Sequence, residues 1–316
     1  MNYISKFAVV GLCLTASLVQ AQTPSPTPPP TSTQTPPAAR GQRPPQTPEQ
    51  QAAAAARREA EQNAPRPIEG IDSVWTEDLT WMEVRDAIKG GTTTALILTG
   101  GVESNGPHLA TGKHNFVLKV MGEAIARKLG NALVAPIVTL EPGRPDAARV
   151  APGSVLLSQE TYRAVLTDMA TSLKGMGFTT VILLGDSGGN QGAMKAVAEA
   201  LTVKYPDAPQ RFIFISEYYD YSSVQKLIQA SGIPEKIEIG ASQGSDGLHE
   251  EFGIDALMAL YDPKTIRLEQ RAKANRATIN GVPLLPLNKT LEMAKKIVEL
   301  RTKLTVDAIA KALAPK

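Results

Sequence analysis

The sequence predicts an α/β fold, a three-layer α/β/α sandwich with a mainly parallel central sheet. After about residue 67, short apolar runs alternate with longer amphipathic runs, which is the order expected when helices connect parallel strands. The short runs are apolar at nearly every position, as strands buried on both faces should be. Roughly 250 residues remain for this part, enough for one well-buried domain.

Strands and helices follow one another in a regular order. The strands are predicted at 95–98, 133–138, 180–184 and 212–215. The helices between them are predicted at 116–129, 159–176 and 191–205. Gly130 ends the first helix, Ser158 is a good N-cap for the second, and Pro206 ends the third. Further helices are predicted at 223–230, 252–261 and 289–313.

Residues 1–21 have the pattern of a secretory signal peptide. A basic n-region precedes the short apolar segment 7–18, and small residues precede a cleavage point after residue 21. Cys13 is the only cysteine, so a lipoprotein is the alternative, although Leu12 stands where that signal has a small residue. The pattern therefore predicts a secreted or periplasmic protein.

Residues 22–66 are predicted to form a proline-rich disordered linker to a domain at 67–316. Twelve of the 24 prolines lie between Pro24 and Pro67, and such a composition cannot build a core. The alanine-rich stretch 51–62 allows a transient helix.

The overall charge and hydropathy bear on the possible partners. A formal net charge of +2 gives no nucleic-acid footprint. Outside the N-terminus, no run of 18 apolar residues occurs. We therefore expect no nucleic-acid partner and no stable membrane insertion after signal cleavage.

The three histidines lie in segments that have the character of active-site loops. His108 and His114 follow Glu103 in one turn, and His249 lies among acidic residues in another. Imidazole is the commonest metal ligand and the usual proton carrier near neutral pH. A histidine beside a turn is also commonly a surface or packing residue, so position alone leaves both interpretations open.

Two acidic residues stand just past predicted strands. Glu103 follows strand 95–98 and Asp186 follows strand 180–184, where α/β sheets bind their ligands. A carboxylate and an imidazole that converge are the minimum for a zinc or manganese site. The plain alternative at the second loop is a strand-to-helix turn capped by Asp186 or Ser187.

Three segments resemble motifs of the creatininase family. Gly-Gly-Val-Glu103-Ser-Asn-Gly-Pro-His108-Leu resembles its opening motif G-x-x-E-Q-H-G-P-H-L. The Gly-Gly-Asn190 turn resembles the family's N-G-H-G-G-N turn, and His249 before a helix resembles its H-A-G-E segment. The resemblance covers residues 75–313. It implies a metal-dependent amidohydrolase, usually a hexamer, with two divalent ions.

The resemblance implies roles for individual residues. Glu103 matches the family's first ligand glutamate, and His108 matches the second histidine of the opening motif. Four positions where the family has metal ligands are substituted, and here they are Asn105, His114, Ser187 and Gly189. His for Asp at 114 and Asp for His near 186 suggest an exchange. We therefore expect Glu103, His114 and Asp186 to hold one divalent ion, zinc or manganese.

The function that the resemblance implies is hydrolysis of a C–N bond in a small linear or cyclic amide by metal-activated water. His249 is the expected proton carrier to the leaving nitrogen, with Glu250 and Glu217 next in line. The residues expected to orient the substrate are Asn105, His108, Ser187 and Asn190. The alternative, favoured by the substituted ligand positions, is a binding protein on the same fold that has lost catalysis.

Overall fold

The computed structural model describes residues 47–147, 151–207, 209–236 and 249–314. The predicted signal peptide and residues 22–46 of the predicted linker lie outside the described residues. The chain divides into two compact units, residues 1–61 and 62–316. Helix α1 (Pro48–Asn63) covers the stretch predicted to form a transient helix and buries none of its side chains.

The elements of the second unit alternate as the sequence predicts. The strands are β1 (Thr94–Thr99), β2 (Ala132–Val134), β3 (Glu141–Gly143), β4 (Leu156–Ser158), β5 (Thr180–Gly185), β6 (Arg211–Phe214), β7 (Thr278–Ile279) and β8 (Val282–Pro283). The helices are α2 (Trp81–Lys89), α3 (Lys113–Leu129), α4 (Gln159–Met176), α5 (Gln191–Lys204), α6 (Tyr221–Ala230), α7 (Phe252–Tyr261), α8 (Leu268–Lys273) and α9 (Leu287–Leu313).

The central sheet is parallel and has the order β2-β1-β5-β6. The chain leaves β1 through α3 toward β2 on one side, and leaves β5 through α5 toward β6 on the other. The connections therefore diverge between β1 and β5, which opens a crevice at the carboxyl ends of these two strands. Open α/β sheets bind ligands at such a point.

Helices cover both faces of this sheet. Leu96 and Leu98 of β1 point into a core shared with α3, α7 and α9. Ala95 and Ile97 point to the opposite face, into a core shared with α4 and α5. This alternation is the period-two pattern of a strand buried on both sides. The predicted α/β/α sandwich with a mainly parallel sheet is confirmed.

Two element boundaries differ from the predictions in a way that affects the site. The predicted strand 133–138 stops at Val134, because Pro136 has no N–H to continue the ladder; Val138 only bridges to Thr99. Helix α3 begins at Lys113 rather than near Phe116. Its N-cap is a glycine without a capping side chain, so the sequence carries no start signal there.

Over the part of the chain that the structure describes, none of the helices combines the length and the apolar character that crossing a membrane requires.

Candidate functional site

A cavity of about 330 Å³ lies at the point where the connections diverge. Its walls come from the loops that follow β1 and β5, the first turn of α3, the segment after β6 and the start of α7. The lining residues are Glu103, Lys113, His114, Ser187, Gly188, Tyr219, Tyr221, His249, Glu251 and Ile254. Most of them are polar or titratable, so the cavity offers several charged and hydrogen-bonding groups to a small polar molecule.

A larger groove of about 750 Å³ lies between α2 and α4. Trp81 and Met176 line it, and both side chains are more than half exposed. It lies near the start of β5, at the opposite end of the sheet from the loops that carry Glu103 and Asp186. We therefore take the smaller cavity as the candidate site.

The centre of the site is an imidazole held between two carboxylates. His114 Nδ1 lies 2.9 Å from Asp186 Oδ2, and His114 Nε2 lies 2.9 Å from Glu103 Oε1. Both ring nitrogens can donate at once only when the imidazole is protonated. Burial lowers the pKa of His114, but the hydrogen bonds to Asp186 and Glu103 outweigh burial and raise it. The geometry therefore favours an imidazolium.

Asp186 is fully buried and is satisfied from three further side chains. Arg301 Nη2 of α9 donates to Oδ1 at 2.9 Å, and the Tyr218 hydroxyl donates to the same oxygen at 3.0 Å. The Tyr221 hydroxyl lies 3.1 Å from both carboxylate oxygens. Burial raises the pKa of Asp186, but the Arg301 charge and the His114 hydrogen bond lower it overall. Asp186 is therefore ionised.

Glu103 has its own buried cation. Lys113 Nζ lies 2.7 Å from Glu103 Oε1, and the lysine is only 3% exposed. Burial raises the pKa of Glu103, but the hydrogen bond with His114 and the Lys113 charge lower it to about 2. Since Lys113 and His114 are consecutive residues in the first turn of α3, this turn sets the charge around Glu103.

A second acidic group approaches the site from β3. Ser187 Oγ donates a short hydrogen bond to Glu141 Oε2 and accepts one from the Gly189 N–H at 3.3 Å. Burial raises the pKa of Glu141. A Cβ on Gly189 would stand 3.6 Å from Glu141 Oε2. Glu141 thus places a carboxyl group close to Gly189, one of the positions at which the resemblance implies a substituted ligand.

His249 stands at the mouth of the cavity. Its side chain is 55% exposed, and its Nδ1 lies 3.3 Å from the Ser104 carbonyl and 3.7 Å from Glu103 Oε2. Lys113 Nζ donates to the His249 carbonyl at 2.7 Å. Nδ1 bound to a carbonyl carries the proton, so Nε2 is left as the basic nitrogen. The φ of 51° at His249 is in the left-handed region.

Five residues predicted to be functional do not line the cavity; one of them is Asp186, which is fully buried and bonded to His114. Asn105 Nδ2 donates to the carbonyls of Glu103 and Ala110, and so braces its own turn. Asn190 is fully buried, and its Nδ2 donates to the carbonyls of residues 99 and 100. His108, on the same turn as Asn105, is partly buried. Glu250 is buried in an ion pair with Arg271, whereas its neighbour Glu251 lines the cavity.

Sequence reasoning missed several residues that build the site. Lys113 and Glu141 were overlooked because neither belongs to a resembling motif. Arg301 lies 115 residues from Asp186 in the chain. It is nevertheless four residues from Ile297 and from Thr305, both buried on α9. An arginine on the buried stripe of an amphipathic helix needs a partner, and that signal was present in the sequence.

The predicted metal ligands meet, but their donor atoms are used within the protein. A divalent ion needs lone pairs at about 2.0–2.2 Å from deprotonated ligands. Both nitrogens of His114 face carboxylates, and the Glu103 oxygen that faces His114 also faces an ammonium. Within the described residues, no group of three or more His, Cys, Asp or Glu side chains is arranged to hold a metal ion. This arrangement does not fit the predicted ion.

Solved structures with a similar fold are creatininases. "Crystal structure of creatinine amidohydrolase (creatininase)" has 20% identity and a TM-score of 0.55, and covers 78% of this chain and 100% of its own. "Creatininase Mn" has 19% identity, a TM-score of 0.56 and covers 77% and 100%. A glutamate-to-glutamine mutant creatininase of "Zn-Zn type" has 19% identity, a TM-score of 0.56 and covers 78% and 100%.

The search of curated proteins found no match. The family model named creatininase and described as creatinine amidohydrolase matches residues 77–297. That match takes in well over half of the chain and includes all nine residues predicted to be functional. The chain therefore belongs to the creatininase family.

Proposed function

We propose that this chain is a hydrolase that cleaves the C–N bond of a small polar amide or cyclic amide in the cavity between β1 and β5. The observation that carries the proposal is the pairing of an exposed histidine with fixed positive charges in one cavity at the ligand-binding end of the sheet. Family membership supports a hydrolase, and it is also the support for a divalent ion. The contacts of the donor atoms oppose that ion, so the steps below use only the protein's own groups.

His249 is the proposed proton carrier. With Nδ1 bound to the Ser104 carbonyl, Nε2 accepts the proton of a water molecule as that water attacks the amide carbon. The same nitrogen then donates the proton to the leaving nitrogen as the C–N bond breaks. A histidine is suited to both transfers because an imidazole nitrogen can accept a proton and then donate it.

Lys113 and the protonated His114, which line the cavity, are the proposed stabilisers of the oxyanion, and Arg301 lies outside the lining. Lys113, His114 and Arg301 carry three positive charges, against two carboxylates on Glu103 and Asp186. Among these five groups, one positive charge remains when His114 is protonated, and Glu251 is a further acid of the lining. Fixed charge of this sign lowers the energy of the oxygen that becomes negative during attack.

A second candidate is a binding protein that does not turn its ligand over. The mutual pairing of Glu103, His114 and Asp186 favours it, because hydrogen-bonded groups of this kind hold a shape without offering a strong base. Both candidates place a small polar molecule in the same cavity.

Turnover of a panel of amides, lactams and cyclic ureas by the full chain separates the two candidates. For a hydrolase, His249→Asn should slow turnover of any active substrate by about 10²–10⁴-fold, the usual contribution of a general acid or base. Asparagine is chosen because it tolerates the left-handed backbone at this position. Asn275→Ala, at another residue with positive φ (56°) and exposed to solvent, controls for backbone strain.

Three results of this experiment would distinguish the hydrolase from the binding protein and from an effect of backbone strain. Equal turnover by His249→Asn and the unsubstituted chain would remove His249 from the mechanism. Ligand-induced thermal stabilisation without turnover of any panel member would favour the binding protein. Loss of turnover in Asn275→Ala as well would assign the effect to backbone strain.

A further inference from the structure

We infer that the Lys113 ammonium and the Arg301 guanidinium take over the charge-balancing role of divalent ions at this site, so that the site is complete without a metal. The inference goes beyond the proposed function, because it holds whether the cavity hydrolyses its small molecule or only binds it.

Each of the two ionised carboxylates has its own buried cation. Lys113 Nζ is 2.7 Å from Glu103 Oε1, and Arg301 Nη2 is 2.9 Å from Asp186 Oδ1. Lys113 is 3% exposed and Arg301 is 2% exposed. A lysine or arginine is almost never buried to this degree unless it is paired. The pairing therefore accounts for both the burial of the cations and the charge of the acids.

Arg301 is held in place by more than its ion pair. Its guanidinium carbon lies 4.4 Å from the ring centroid of Tyr218 and 4.7 Å from that of Tyr221. Nη2 also donates to the Tyr218 carbonyl at 3.1 Å. Both rings donate their hydroxyls to Asp186. The cation is therefore built into the fold on three sides rather than placed there by a flexible side chain.

The lone pairs of Asp186 that a metal would use are already engaged. Asp186 Oδ1 accepts from Arg301 and two tyrosine hydroxyls, and Oδ2 faces His114 and one of those hydroxyls. A dication brought to these oxygens would also meet the Lys113 ammonium and the Arg301 guanidinium at short range. Like charges repel strongly where water is excluded, so entry would require the loss of Lys113 or Arg301 from its acid.

The remaining ligand positions of the family carry other residues here. Asn105 donates its amide N–H groups to two backbone carbonyls, and its Oδ1 is buried without a hydrogen-bond partner. Ser187 gives its hydroxyl proton to Glu141, and Gly189 has no side chain. The substituted ligand positions and the buried cations Lys113 and Arg301 therefore point to the same change, in which the ion and its ligands were replaced together.

The first experiment measures metal content and thermal stability of the full chain. The protein is treated with EDTA, dialysed, and then incubated with zinc or manganese alone before removal of free metal. We expect no stoichiometric ion by elemental analysis, and a melting temperature that neither EDTA nor either metal changes. One tightly bound ion per chain, together with a loss of melting temperature in EDTA, would overturn the inference.

A double-mutant cycle tests the charge replacement itself. Lys113→Met leaves the Glu103 carboxylate without its ammonium, with His114 as its remaining close partner, and should lower the urea midpoint. Lys113→Met with Glu103→Gln removes both charges and should recover part of the loss. Lys119 and Glu77 form a matched control, because they are also 2.7 Å apart and Lys119 belongs to the same helix, but 37% and 41% of these side chains is exposed. Their cycle should show almost no coupling.

If the stability losses of Lys113→Met and Glu103→Gln simply add in the double variant, the two side chains do not interact. That result would overturn the inference that Lys113 balances the charge of Glu103. If Lys113→Met does not fold, the double variant decides. Recovery of a cooperative unfolding transition supports the inference, and failure to fold in the double variant as well contradicts it.

Discussion

His114 lies between two carboxylates, so its proton is part of what holds the site together. The pKa of His114 in the fold is raised above 6.5. A raised pKa means that this contribution to stability is complete below pH 6.5 and is lost as the pH rises through the folded-state value. Glu103 and Asp186 have lowered pKa values, so their contributions are lost as the pH falls from 4.5 and 3.8.

Because the pKa of His114 is raised and those of its two carboxylate partners are lowered, the loss of stability in His114→Gln should be largest within a limited pH range. The unsubstituted chain should exceed the variant in unfolding free energy most clearly between pH 4.5 and 6.5. The difference should narrow as the pH rises above 6.5. Urea unfolding of both proteins over a pH series measures it, and a difference that stays constant into the alkaline range contradicts a charged imidazole.

At the scale of single residues, the sequence predicted which acids and which histidine come together. It did not predict the ion pairs that the acids form with Lys113 and Arg301. Glu103, His114 and Asp186 do meet, because neighbouring parallel strands and the following helix bring their loops to one edge. Their contacts with Lys113 and Arg301 depend on side-chain packing over long sequence separations. A motif match does not carry that information.

At the scale of elements, a buried arginine joins α7 to α8. Arg271 Nη1 lies 3.0 Å from Glu250 Oε1 and 3.0 Å from Asp255 Oδ2. All three side chains are buried, so two acids share one cation. Burial and the Glu250 charge raise the pKa of Asp255 well above 3.8.

This excess of buried acid predicts that Asp255→Asn stabilises the fold. The raised pKa of Asp255 means that stability present below pH 3.8 is lost as the pH rises. The variant avoids that loss and should gain about 1–3 kcal/mol at pH 7, the usual cost of a buried polar group left unsatisfied. Urea unfolding at pH 7 and pH 4 checks that the gain shrinks at the lower pH.

Arg271→Met removes the shared cation, whereas Asp255→Asn removes one of its two acids. It leaves the two acids without their cation and should cost about 3–5 kcal/mol, as when a buried pair is broken. A destabilised Asp255→Asn at pH 7 would mean that Arg271 needs both carboxylates.

Element boundaries show where sequence patterns are informative. Helices α4 and α7 begin and end at the predicted residues, since Ser158 caps the first and an apolar run fills the second. The short strands β3 and β4 were missed because three residues are too few for a periodic pattern to appear. Helix α2 was missed despite the Thr80–Glu83 capping box, which is a readable start signal.

At the scale of the whole molecule, we expect the N-terminal region to be dispensable for the stability of the domain. Helix α1 buries no side chain, and the family match begins at residue 77. We expect deletion of residues 22–61 to leave the melting temperature of the domain nearly unchanged. A fall of several degrees would mean that this region contributes to the domain.

A longer deletion gives the contrast. Trp75 is 7% exposed and bridges in parallel to Val134 at the edge of the sheet. Removal of residues 22–76 should therefore lower the melting temperature strongly, because it exposes core surface and an open sheet edge.

Export through residues 1–21 and a hexameric assembly stay predictions.

The overall architecture was predictable because it depends on composition and periodicity over long stretches. Strands with no polar face require a parallel sheet that helices cover on both sides. The family resemblance implied the same architecture. The ligand set was less predictable. An exchange of residue types at 114 and 186 is compatible with a metal, with an ion-pair network or with packing, and only the positions of the buried cations distinguish these cases.

The partners of Asp186 have a consequence for directed evolution of this protein. Many enzymes carry strained catalytic residues, so that replacing them raises stability at the expense of turnover. Asp186 instead ties together α3, α9 and the segment around Tyr218 through its hydrogen bonds. Mutations that disable this position should be purged by selection for folding alone. A library sorted only for soluble expression would keep the site intact, and the search for a new substrate can be confined to the exposed rim at His249 and Glu251.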